Sequence, residues 1–263
     1  MASTTKPGVA RIDPTGPVLM WTLRITSVVA LLAAWEWYGR RPDSFTIAPV
    51  TDVARAMWDG FASGEFGRAL AGTMLTMVVG YVIAAVIGVG VGLWIGVSRY
   101  AQNTIEPLVH AGYATPVSLL IPILGIYTGL ELRGRIILVV LWCVFEILVN
   151  TSTGIKEVPP ALIDVGKSFN ASRFDLYRKV VLPAARPYIF LGLKIGVGRA
   201  IRGAVTAELL LSAANLGRIL LGAQSTFDIP TLLAGIVLTM LLGLVLMQVA
   251  SYVERRSLSY RAV

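Results

Sequence analysis

Charge is scarce in this sequence: 14% of its 263 residues are Asp, Glu, Lys or Arg, while 56% are hydrophobic and the mean hydropathy is +0.73. An ordinary soluble domain carries about a quarter charged residues, so the composition excludes one and points to an integral membrane protein. Cysteine is nearly absent as well. Cys143 is the single one, which excludes an intrachain disulfide. His110 is likewise the single histidine; with one Cys and one His the chain offers no metal cluster, and His110 is expected to pack within a membrane helix. No G-x-x-x-x-G-K-[ST] occurs. Gly166-Lys167-Ser168 ends like one, but Ala161 stands where its first glycine would be and no apolar strand leads in. The chain is therefore not expected to bind ATP. Nor does a short basic start lead into an apolar core with a small-residue cleavage site, so no cleavable signal peptide is expected.

What the chain has in quantity is apolar runs. Six candidate spans lie at about residues 19–38, 70–97, 105–128, 135–150, 187–211 and 232–253. At 1.5 Å per residue, about 20 residues cross the hydrocarbon of a bilayer. Residues 1–18 read as an N-terminal tail, 19–253 as the membrane domain and 254–263 as a C-terminal tail. The net charge of +8 does not signal nucleic acid, because the basic residues lie between apolar runs. With both termini and the 157–186 loop inside, twelve of the 23 Lys and Arg are inside and seven outside. That bias favours a cytoplasmic loop and cytoplasmic termini.

Several spans carry further signals. In the second, Gly80, Ala84, Gly88, Gly92 and Gly96 recur every four residues, a stripe that lets another helix approach closely. The third is interrupted by Pro116 and Pro122, which frees carbonyls that only protein or a wet cavity can satisfy. It is a candidate pathway wall. Arg24 and Glu36, near the two ends of the first span, can snorkel. Between the first two spans, Thr51 is expected to cap an amphipathic surface helix carrying Val53, Met57 and Phe61 on one face beside Trp58.

The longest polar stretch between apolar runs, residues 164–183, reads as helix, break, helix. Pro159 and Pro160 suit a first turn, and Leu162, Val165 and Phe169 share a face. Asn170 tolerates a left-handed backbone, and Ser172 with Asp175 three residues on forms a capping box. Phe174, Tyr177 and Val181 line the second helix, ringed by Arg173, Arg178 and Lys179, and Pro183 is expected to end it.

These residues resemble the cytoplasmic loop of permease subunits of bacterial ABC importers, E-A-A-x-x-x-G-x₉-I-x-L-P. Asp164, Val165 and Gly166 take the E-A-A places, Asn170 the Gly place, and Val180, Leu182 and Pro183 the last three. Gly166 within the first helix is a departure that should weaken it by about 1 kcal/mol. Ala48-Pro49-Val50-Thr51-Asp52-Val53 is similar to the P-[ST]-P-x-x-V segment of nitrate, sulfonate and taurine permeases. The fifth span resembles the same helix of that family, with a basic residue, then Gly-Arg-Ala, then Ala-Glu. Lys194, Arg199 and Glu208 fall on those positions, while Arg202 and Glu146 look particular to this chain.

The resemblance implies an all-α membrane protein with six transmembrane helices and a cytoplasmic coupling-helix loop between the fourth and fifth, like a type I ABC importer. It implies no enzyme in this chain. ATP and magnesium would sit on separate ATPase subunits, a second copy of the chain would complete the pathway, and an extracytoplasmic binding protein would deliver a small solute, of which an anion suits the arginines. The membrane is then the bacterial inner membrane. Asp164, Gly166, Asn170, Ser172, Arg173, Phe174, Asp175, Tyr177, Arg178 and Pro183 are the expected ATPase contacts. Pro116, Glu146, Lys194, Arg199, Arg202 and Glu208 are the expected path residues. Two alternatives stand beside this. The loop's basic residues could hold anionic lipid heads, and Glu146 with Glu208 could relay protons in a carrier driven by an ion gradient.

Overall fold

The computed structural model describes residues 17–41, 46–129 and 131–258. Most of the expected N-terminal tail, Asp43 and Arg261 lie outside them. Helices carry the fold: α1 (Pro17–Gly39), α2 (Val50–Ala62), α3 (Glu65–Val97), α4 (Arg99–Thr104), α5 (Glu106–Ala114), α6 (Ile121–Thr128), α7 (Leu132–Lys156), α8 (Pro160–Ser168), α9 (Arg173–Leu176), α10 (Leu182–Ala207), α11 (Asn215–Ser225) and α12 (Ile229–Leu258). By length and composition, α1, α3, the continuous helix Arg173–Leu211 and α12 are each able to cross a membrane, and α5 with the stretch Val117–Thr128 makes a fifth, bent span.

The core is a three-helix sandwich with α7 in the middle. On one side the α3 stripe lies against it: a Cβ on Gly80 would come within 2.7 Å of Val139, one on Gly88 within 2.9 Å of Ile147, and one on Gly92 within 2.8 Å of the Leu148 carbonyl. On the other side α10 presents a second small-residue stripe. There a Cβ on Gly192 would meet Asn150 at 2.8 Å, on Gly196 Ile147 at 3.0 Å, and on Gly203 Trp142 at 3.1 Å. A side chain at Gly80, Gly88, Gly92 or Gly192 would displace its neighbour and one at Gly196 or Gly203 would press on it, so the three helices approach closely and the dispersion contacts are dense. Leu138, Val139, Cys143 and Ile147 of α7 are fully buried as a result.

Several expectations change here. Pro183 does not end a helix. A wide π turn at Tyr177–Val181 precedes it, the Leu182 N–H reaching back to the Tyr177 carbonyl, and α10 takes the proline in its first turn where a missing N–H costs little. The third span is not straight: α5 and the segment after it are bent by 88° at Thr115–Pro116. Thr51 caps nothing. Pro49 holds the N-cap of α2, and the Thr51 hydroxyl and N–H instead donate to the Glu36 carboxylate, at 2.9 and 3.1 Å. Glu36 also accepts from Arg40, so it is a fastener between α1 and α2. His110 is not packed away; its side chain is 58% exposed and faces Glu106 at 3.5 Å. The expected helix is present as α2, on which Val53 is buried while Trp58 and Phe61 are exposed.

Candidate functional site

Two regions gather the candidate residues. The first is the elbow between α7 and α10. Pro159 and Pro160 open α8, and Asn170 adopts the left-handed conformation at φ 51°. The Ser172 hydroxyl then accepts the Asp175 N–H at 3.1 Å and donates to its carboxylate at 2.7 Å. Asp175 in turn binds Lys179 at 2.8 Å. Gly166, puzzling within the sequence, is explained by packing: a Cβ there would strike Leu176 at 2.5 Å, so glycine lets α8 and α9 close on each other.

The elbow is thus closed by local hydrogen bonds and helix packing, yet its apolar face is bare. Phe169 is 82% and Phe174 70% exposed, with Leu162 and Val165 beside them. Arg173 and Arg178 are exposed around this face, and Asp164 pairs with Lys167 at 3.4 Å. Tyr177 behaves differently from Phe174. It is half-buried against the cluster of Ile155, Val158, Val181 and Ala185, which seats the elbow on α7 and α10.

The second region is a cavity of about 300 Å³ at the α5 break, lined among others by Tyr113, Thr115, Pro116, Ser118, Trp142, Phe145, Glu146 and Arg199. Its polar centre joins the two partners of the core sandwich. Arg199 of α10 donates to Glu146 of α7 at 2.7 Å, the Tyr113 hydroxyl donates to the same carboxylate oxygen at 3.3 Å, and the Asn150 amide donates to the other at 3.4 Å. Glu146 is buried, while the Arg199 side chain is 38% exposed. Such a site offers a guanidinium already satisfied by a carboxylate, ringed by three aromatic side chains. An incoming anion would have to exchange with Glu146.

Of the six expected path residues, Pro116, Glu146 and Arg199 meet here. The other three do not. Lys194 pairs with Glu254 of α12 at 2.8 Å. Arg202 is exposed and donates to the Gly198 carbonyl of its own helix at 3.1 Å. Glu208 is fully buried and accepts from the Thr73 hydroxyl at 2.8 Å, the Asn215 amide at 2.7 Å and the Gly217 N–H at 3.4 Å. It fastens the start of α11, where Ala213 and Asn215 hold left-handed backbones, to α3. No hydrogen bond is found between Glu146 and Glu208 among the described residues, and each is held by its own separate set of donors. Tyr113, Trp142 and Phe145, which line the cavity, are not among the path residues expected from the sequence. The nearby Pro116 was the available signal. Among the described residues no three His, Cys, Asp or Glu side chains are grouped to hold a metal ion.

Residues 84–259 match the family described as binding-protein-dependent transport system inner membrane component. The chain is 28% identical over 188 residues to the nitrate import permease protein NrtB of Leptolyngbya laminosa, covering 71% of this chain and 67% of that one. It is 27% identical over 237 residues to the putative aliphatic sulfonates transport permease protein SsuC of Escherichia coli, covering 86% and 88%. A riboflavin transport system permease protein, RibX of Chloroflexus aurantiacus, is 27% identical over 80% of this chain and 78% of its own. Among solved structures, an inward-facing form of the MetNI methionine ABC transporter superposes with a TM-score of 0.58 at 20% identity, covering 72% of this chain and 92% of that one.

Proposed function

Since the chain belongs to the binding-protein-dependent transport system inner membrane components, and so is the permease subunit of an ABC importer whose ATPase is a separate subunit, we propose how its parts divide the work. The elbow from Pro160 to Val181 is the seat of the ATPase, and the cavity at the α5 break is part of the solute path. The observation that carries this is the unbroken helix from Arg173 to Leu211. Phe174, bare on the elbow, and Arg199, at the centre of the cavity, stand 25 residues apart on one rod, about 38 Å at 1.5 Å per residue. The rod therefore joins the elbow to one wall of the cavity. Exposed aromatic rings with an arginine rim have the make-up of an interface hot spot.

We further propose six spans, counting α7, with the elbow and both termini in the cytoplasm. A second copy of the chain covers the face of α10 that carries Arg202, since a bare guanidinium within a span is costly in lipid. An extracytoplasmic binding protein delivers the solute, and the apolar surface of α1 meets lipid. The solute is a small anion, as in the relatives named for nitrate and aliphatic sulfonates. Arg199 supplies the planar fork that oxyanions take. Sulfonates, nitrate or carboxylates should then compete for uptake while neutral solutes do not, and the opposite pattern would end the anion reading.

The test of the elbow is a pull-down of the tagged protein from mild detergent, wild type against a Phe169→Ala/Phe174→Ala variant. Both rings are solvent-exposed, so their loss leaves no internal cavity. An ATPase subunit should accompany the wild type and be largely lost from the variant. Recovery of no ATPase, or of equal amounts with both proteins, would overturn the assignment.

A further inference from the structure

The elbow joins two helices, and α10 is only one of them. The other is α7, whose last residue, Lys156, directly precedes the elbow. Lys156 reaches fifty residues back to Glu106, the first residue of α5, with its ammonium 2.5 Å from both carboxylate oxygens. Both side chains are partly withdrawn from solvent, at 33% and 22% exposure. At its far end α5 is tied to α7 again, through the Tyr113 hydroxyl on Glu146 and the seat of Gly112 on Phe145, where an added Cβ would lie 2.5 Å from the ring. Beyond that end comes the 88° break that walls the cavity.

The core sandwich of α3, α7 and α10 is interlocked by glycine on both faces, whereas α5 lies outside it and is held to α7 near its two ends. The chain bends at Thr115–Pro116, and α5 is the arm on one side of the bend. We propose that the Glu106–Lys156 ion pair is the joint that makes α5 follow the elbow, so that displacement at the ATPase seat bends the Thr115–Pro116 hinge and changes access to the cavity. Glu106 and Lys156 are positioning residues: neither touches the solute, and both act through α5. His110, one turn further along α5, offers its Nε2 to the same carboxylate at 3.5 Å and cannot replace Lys156, because it lies on the same arm as Glu106. An exposed surface pair would be worth little. This one is half-withdrawn, two-pronged, and links elements fifty residues apart.

The inference rests on the elbow being the ATPase seat, and the experiment separates the two. The importer complex is purified with its ATPase from a Cys143→Ala background carrying Ser118→Cys as a cavity reporter. The rate of labelling by a negatively charged methanethiosulfonate is compared between the nucleotide-free and the ATP–vanadate-trapped complex. Trapping should change that rate at least about five-fold, the lower end of an allosteric coupling. In Lys156→Ala or Glu106→Ala the change should vanish while ATP hydrolysis and trapping persist, a split that general loss of structure does not produce. The charge-swapped Glu106→Lys/Lys156→Glu should restore it. An undiminished change in the single variants would overturn the joint, as would parallel loss of hydrolysis and change that the swap fails to repair. Undiminished copurification of the ATPase with a Phe169→Ala/Phe174→Ala variant of the same background would overturn the ATPase seat itself, and the joint with it.

Discussion

Replacing Glu146 by Gln is the most informative single perturbation of the cavity. The carboxylate is 9% exposed, accepts Arg199 at 2.7 Å, and is shared with Tyr113 and Asn150. Removing one partner of a buried pair costs about 3–5 kcal/mol, because the remaining charge is left without compensation. Arg199 is 38% open to the cavity, and water there relieves part of that cost, so about 2 kcal/mol is expected. For a chain of this size that lowers the unfolding midpoint by about 4–8 °C. Arg199→Met should cost a similar amount, since it strands the carboxylate. The double variant Glu146→Met/Arg199→Met should instead lie within about 1 kcal/mol of wild type, two apolar side chains replacing a desolvated pair, yet it should no longer transport. The assay is tryptophan fluorescence during thermal unfolding in detergent, with uptake measured in parallel. Additive losses in the double variant would refute the reasoning, because they would mean that the two charges do not stabilise each other. So would a Glu146→Gln protein as stable and as active as wild type.

Two other outcomes follow from the packing and the backbone. Gly92→Val drives a branched side chain into Thr151 and the Leu148 carbonyl, and should destabilise by about 1–3 kcal/mol in the same melt, whereas Gly90→Ala, with nothing within 4 Å, should be neutral or better. At the elbow, Asn170→Gly should leave resistance to protease unchanged, while Asn170→Val, forced to φ near 51°, should lose about 1–2 kcal/mol locally and be cut faster within residues 166–174.

Much of the molecule was legible because it is local. Ser172 and Asp175 close their hydrogen bonds within three residues, and Asn170 sets its own φ, so the elbow could be drawn from residue types in order. The glycine stripe of α3 was equally plain, since a four-residue repeat places its members on one helix face. Its counterpart on α10 is not legible in the same way, because Gly192, Gly196 and Gly203 do not keep a strict four-residue repeat and are interleaved with Lys194, Arg199 and Arg202. Pro183 was misjudged for a reason also local in origin. A proline forbids one hydrogen bond but not a wider turn before it, and nothing in the residue types chose between stopping the helix and widening it.

The family and the helical membrane fold were therefore determined by sequence, through apolar run lengths, punctuation and motif order. Which charges meet was decided by tertiary structure. Around a helix of 3.6 residues per turn, Lys194 lies about 140° from Arg199 and Glu208 about 180° from it, so charges that read as one set along the chain point to different neighbours. Lys194 reached Glu254 sixty residues away, Glu208 found Thr73 across 135, and Arg199 found Glu146 across the interface of α7 and α10. An ion pair needs about 3 Å between its atoms, and that distance is set by how two helices are rotated and pressed together, which no residue order states.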